Sequence, residues 1–219
     1  MERVTEAFSW PARDPAWPAK VAVMGLILLI PIVGAIDGLG WMLSALDRLR
    51  AGDETLPPAN LGHLGRGWRL FTVQLAYGIL IAFITAIVYV PSVVLFVHEG
   101  RGSADPLLVS AGAILSSLAL SIATLGSLAL NFVMPSIVLA TDRDGIRGGL
   151  RLASVVRLAR RSISNTLIAG LMLIAAGFVG SLGVILCGVG VVITTAYSLA
   201  MQAWIIRSYE LGSDGSATA

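Results

Sequence analysis

Charge is scarce in this sequence. Asp, Glu, Lys and Arg make up 13% of its 219 residues, against about 25% in an ordinary soluble domain, too little to cover a water-soluble globule. The single cysteine, Cys187, excludes an intrachain disulfide scaffold. There is one lysine, Lys20, beside fourteen arginines. Aromatic residues are only 7% and lie in or beside apolar segments, which leaves no basic groove with stacking rings for a nucleic acid. The two histidines, His63 and His98, have no Cys or second His at ligand spacing, so no metal site is expected. No Gly-rich phosphate loop follows a strand, and no acid pair or Ser/His/Asp set stands out. Neither enzymatic activity nor a cofactor is expected. The first twenty residues hold Pro11, Pro15, Pro18 and both signs of charge, and are not expected to be a signal peptide.

Apolar residues are abundant, with 56% AVILMFWYC and a mean hydropathy of +0.85. The few charges cluster, leaving residues 21–36, 70–97, 106–141 and 162–206 uncharged. These windows identify an integral membrane protein of the all-α class. Window 70–97 would make a helix of about 42 Å, enough to cross a hydrocarbon core of about 30 Å with tilt. Window 106–141 would reach about 54 Å, so a kink is expected near Pro135, whose ring clashes with the carbonyl of Asn131. Window 162–206 is too long for one span and is expected to form a helical hairpin over 163–210, turning near Gly183, Gly188 and Gly190.

The first window poses a choice, since Pro31, Gly34, Asp37, Gly38 and Gly40 interrupt residues 21–48. It is either a span or a re-entrant hairpin turning at residues 31–34, with arms of roughly 15–18 Å. Cytoplasmic loops carry the excess of Arg and Lys. A crossing with the N-terminus inside puts most basic residues outside. A re-entrant window puts fourteen of the fifteen inside, with Arg101 the exception. The expected architecture is therefore four transmembrane helices plus an N-terminal re-entrant hairpin, with both termini cytoplasmic. Five transmembrane helices with the N-terminus outside is the alternative. Residues 1–20 are expected to lie at the interface with Trp10 and Trp17 at headgroup level, 49–69 to be a cytoplasmic loop, and 211–219 a disordered tail.

Residues 142–162 contain a basic amphipathic segment in which Arg147, Arg151 and Arg161 oppose Leu152, Val155 and Val156. Either it lies on the membrane, with Arg147, Arg151, Arg157, Arg160 and Arg161 against anionic headgroups as Lys20 would be, or it is a loop that sets topology. Asp37 is the one ionisable group deep in an apolar run, which makes it a candidate functional residue together with Gly34, Gly38 and Asn131; the favoured reading of Asp37 is that it caps the return helix or reaches interfacial water. Asn131 would answer the backbone disrupted by Pro135. Ala176, Gly177, Gly180 and Gly183 form a small-residue strip suited to close packing within the fold or between copies.

Phe8, Pro11, Asp14, Trp17 and Lys20, followed by Gly25, the sequence IPIVG at 30–34 and Gly40–Trp41, resemble the prokaryotic membrane family called domain of unknown function 4013. Gly52, Leu56–Pro57 and Gly67 are also similar to it. Pro58 and Ala59 depart from the family's acidic residue and tryptophan. The resemblance implies a multi-span prokaryotic inner-membrane protein and brings no activity. The expected function is a membrane interaction, scaffold or membrane-shaping module with lipid, homo-oligomeric or membrane-protein partners; the alternative is an ion or small-solute channel or transporter with its site at the broken first helix.

Overall fold

A computed structural model describes residues 4–99, 105–186 and 189–215, and among them there are helices and no strand. Cys187, Arg101 and the side chain of His98 lie outside the described residues. The α-helices are α1 (Trp17–Leu28), α2 (Val33–Arg50), α3 (Leu64–Glu99), α4 (Pro106–Leu150), α5 (Leu152–Arg161), α6 (Ile163–Leu182) and α7 (Val189–Gly215). Short 3-10 turns precede α1 at Val4–Phe8 and Trp10–Arg13, and precede α3 at Leu61–His63. Three helices, α3, α4 and α6, are long and apolar enough to cross a membrane.

The chain forms two compact units, one of residues 1–73 with 131–219 and one of residues 74–130. The smaller unit pairs the later part of α3 with the first part of α4, antiparallel. Phe96 lies against Gly112, Ile81 against Gly126, and the Ser92 hydroxyl donates to the Gly112 carbonyl at 2.9 Å. Ile79, Phe83, Ile87 and Ile114 stay exposed at 59–67%, an arrangement that lipid tolerates and water does not.

In the larger unit, the first apolar window is two helices. Pro31 cannot continue α1 and biases Ile30 away from helix. The reversal is completed by a γ-turn centred on Ile32 (φ 65°, ψ −58°), with the Val33 N–H donating to the Pro31 carbonyl at 2.7 Å. The turn thus falls within the expected sequence, but the arms are unequal. Twelve-residue α1 is about 18 Å long, as expected, whereas eighteen-residue α2 is about 27 Å. Its extra turns carry Asp47, Arg48 and Arg50. Helix α2 ends in a Schellman motif: Gly52 adopts φ 81°, its N–H donates to Leu49 and that of Asp53 donates to Arg48.

Both arms pack on α7, Gly25 facing Val192 and Gly38 facing Leu199. A Cβ at Gly25 would meet the Val192 backbone, so only glycine permits this approach. Helix α6 runs antiparallel to α7, with the Ser198 hydroxyl donating to the Ala176 carbonyl and that of Thr194 to Gly180, each at 2.7 Å. Of the small-residue strip, Ala176 is buried and Gly180 and Gly183 face α7, but Gly177 meets nothing.

Two details go beyond the expected elements. Pro135 lies inside α4, as expected, and the non-helical backbone of that helix is further on, at Gly145 (φ 68°, ψ −160°). Glycine can leave helical angles at no steric cost, so the redirection toward α5 occurs there. Helix α7 continues to Gly215, into the segment expected to be a disordered tail. Buried Tyr209, Glu210 and Ser213 anchor its last turns.

Candidate functional site

The N-terminal segment closes the hairpin's open end. Asp14 is 4% exposed, and its carboxylate accepts the N–H groups of Ala16 (2.8 Å) and Leu56 (2.9 Å) and the Lys20 ammonium (2.7 Å). Burial opposes ionisation of Asp14, but Lys20 and the two backbone donors outweigh it and hold the carboxyl below its ordinary value. Lys20 also donates to the Leu56 carbonyl at 2.5 Å, and Arg48 donates to Thr55 Oγ1 at 2.6 Å. The start of α1 and the chain leaving α2 are thereby held together. Lys20, expected at lipid headgroups, is committed within the protein. Trp10 likewise differs from expectation: it is fully buried, stacked on Trp204 at 5.7 Å, while Trp17 packs edge-on against Tyr197. Aromatic partners on α7 draw both indoles inward.

Beyond Leu56 the loop runs back along α2. The Trp41 indole donates to the Pro57 carbonyl at 3.1 Å. His63 Nε2 lies 3.1 Å from the Pro58 carbonyl, which can only accept, so that nitrogen carries a proton. His63 Nδ1 lies 3.0 Å from the Ser44 hydroxyl. The His63 N–H donates to Asp37 Oδ1 at 3.0 Å. Asp37 is fully buried and its other oxygen has no hydrogen-bond partner. It therefore sits at the N-terminus of α3, where unpaired N–H groups and the helix dipole favour a carboxylate. Asp37 caps a helix, but through space rather than on its own α2. Gly40 and Gly67 make this possible, since a Cβ on either would strike the backbone of the facing segment at His63 or Ile36.

At the end of α2 lies a charged node. Arg50 forks onto Glu210 at 2.9 and 3.0 Å and reaches Asp142 at 2.7 Å. Arg66 joins Asp142 at 2.8 Å and pairs with Asp47. Arg207 and Arg143 add to Glu210 at 2.9 and 3.5 Å. Glu210 and Asp142 side chains are only 9% and 13% exposed, so this ion-pair network is costly to break from one side. Tyr209, beside it, bonds Ser136 at 2.9 Å and donates to the Leu158 carbonyl at 3.3 Å, bringing α5 to the same region.

The candidates from sequence are thus distributed. Asp37, Gly34 and Gly38 lie together in α2, both glycines against the end of α1. Asn131 lies exposed in α4. Arg147, Arg151, Arg157, Arg160 and Arg161 are exposed and make no ion pair among the described residues. Sequence reasoning missed Asp14, His63, Arg50, Arg66, Asp142 and Glu210 as partners. Only the Asp14 to Lys20 spacing and Leu56–Pro57 gave a signal, through the family pattern.

The family model described as Protein of unknown function (DUF4013) matches residues 23–189. No curated protein and no solved structure matches the chain.

Proposed function

Because the chain belongs to the DUF4013 family of proteins of unknown function, relatives supply no activity, and we propose from the geometry that it is a non-enzymatic membrane module that inserts a helical hairpin from one side of the membrane without crossing it. The observation that carries this reading is the clasp: Asp14 and Lys20 before and within α1 bond Leu56 beyond α2. The two open ends belong on one side of the membrane, and the tip between them is apolar, with Leu26, Leu29, Ile30 and Ile32 exposed at 44–64%. Such a tip belongs in lipid. The stretch from Val33 to Leu46 reaches about 21 Å, roughly two thirds of a core of about 30 Å.

Helices α3, α4, α6 and α7 cross in this reading, with both termini and the basic α5 cytoplasmic, as the positive-inside rule favours. The N-terminal segment, α5 and the broad open end of the hairpin then all lie on the cytoplasmic side and widen that leaflet more than the narrow tip widens the other. Reconstituted at high density, the protein is expected to tubulate vesicles of anionic lipid; unchanged vesicle size and shape would remove the membrane-shaping role. Single cysteines at Ala19 and Thr55, in a Cys187→Ser background, are expected to label only from the cytoplasmic side. Labelling from opposite sides would restore the five-span alternative.

A second reading, ion or small-solute transport, is favoured by one observation, the partnerless oxygen of buried Asp37. Flux into proteoliposomes that Asp37→Asn abolishes would support it; equal background flux in both proteins would exclude it for the solutes tried.

A further inference from the structure

Beside the charged node is a small open cleft of about 40 Å³, lined by Leu43 of α2, Arg66, Arg69 and Leu70 of α3, and Val138, Thr141 and Asp142 of α4. That volume holds about three water molecules, room for a small anionic group whose remainder lies outside the cleft. Its floor is apolar, with Leu43, Leu70 and Val138 at most 3% exposed. Thr141 donates its hydroxyl proton to the Ile137 carbonyl at 2.7 Å and offers no donor to a ligand. Both oxygens of Asp142 are taken, one by Arg66 and one by Arg50. The donors left facing the cleft are guanidinium groups.

The charge around it does not balance. Arg50, Arg66, Arg143 and Arg207 face three carboxylates, Asp47, Asp142 and Glu210. Arg69, exposed one helical turn beyond Arg66, adds a positive charge and has no carboxylate of its own among the described residues. An anion completes such a site, and paired guanidiniums suit the oxygens of a phosphate. Trp68 stands next to Arg69, 53% exposed and stacked on Phe71 at 6.2 Å, at the start of a membrane-crossing helix. Tryptophan there marks headgroup level.

We propose that this cleft binds the phosphate of an anionic phospholipid, with Arg69 and Arg66 as its donors. The proposal rests on the membrane reading above and adds a discrete lipid site separate from the diffuse basic surface of α5. Because Arg66 also holds the node together, the informative variant is at exposed Arg69. Native mass spectrometry of the full chain in detergent with phosphatidylglycerol is expected to show one tightly retained lipid. Arg69→Gln should weaken its retention about tenfold, the effect of losing one charge-assisted bond of roughly 1.5 kcal/mol. Arg69→Lys should recover part of it, and Arg157, Arg160 and Arg161 changed together to Gln should leave it intact. Equal retention by Arg69→Gln and wild type overturns the site. Displacement of the lipid by glycerol 3-phosphate at matching concentrations would assign the cleft to a soluble phosphate and overturn the lipid. If instead the wild type showed no preference for anionic liposomes, the membrane-surface reading itself would fall.

Discussion

Ile32 is the one non-glycine residue with positive φ among the described residues, and it is 64% exposed at the hairpin tip. A β-branched side chain at such angles costs of order 1–3 kcal/mol. Glycine would relieve it, so Ile32→Gly is expected to raise the thermal midpoint in detergent by about 2–4 °C, read by circular dichroism. A fall would mean that the side chain contributes more than its strain costs. Asp14 carries a different prediction. Its folded pKa lies below the ordinary carboxylate value, so its stabilisation is full above about pH 4 and disappears as pH falls through the lower folded value. Asp14→Asn should lower stability at neutral pH by about 2–3 kcal/mol and flatten the loss seen in acid titrations of the wild type.

Helices meet at the node, and its energetics belong to them jointly. Removing Glu210 leaves Arg50 with Asp142 and Asp47 but strips Arg207 and Arg143 of their acid. Glu210→Gln and Arg50→Ala are each expected to destabilise by about 3–5 kcal/mol, with the double variant costing far less than the sum. Additive losses in denaturant titrations would show that the two groups act independently. The elements themselves were largely legible beforehand. Apolar windows marked α3, α4 and α6 because uninterrupted hydropathy is a local property, and Pro31 marked the break between α1 and α2. Less legible was α2's length, since a Schellman end at Gly52 competes with charges that suggest an earlier stop. The redirection of α4 at Gly145 was not legible, because a single glycine in an apolar-to-basic boundary does not announce a left-handed backbone. The site was legible in Asp37, Gly34 and Gly38 and, through the family pattern, in Asp14, Lys20 and Leu56–Pro57. Its hydrogen-bond and ion-pair partners, and the loop lying back along α2, depend on residues far apart in sequence, where no periodicity reports a meeting.

Charge is used unevenly among the described residues. The acids of the node and clasp are paired, whereas five arginines between residues 147 and 161 remain exposed. Changing Arg157, Arg160 and Arg161 to Gln should reduce binding to phosphatidylglycerol liposomes, and the difference from wild type should vanish in high salt, as headgroup attraction does. Co-sedimentation across a salt series would measure this, and a salt-independent loss would point to apolar insertion instead. The asymmetry of basic charge was readable in the sequence; that Lys20 is withdrawn from it was not, because its carboxylate partner is fixed by the fold.

The bond between Arg50 and Glu210 joins residues 160 apart, and this has a consequence for biogenesis. At about 5–20 residues per second, a ribosome that has finished the hairpin needs roughly 8–32 seconds to supply the helix on which it rests. During that interval Gly25 lacks Val192 and Gly38 lacks Leu199, and the hairpin waits for the helix it packs on.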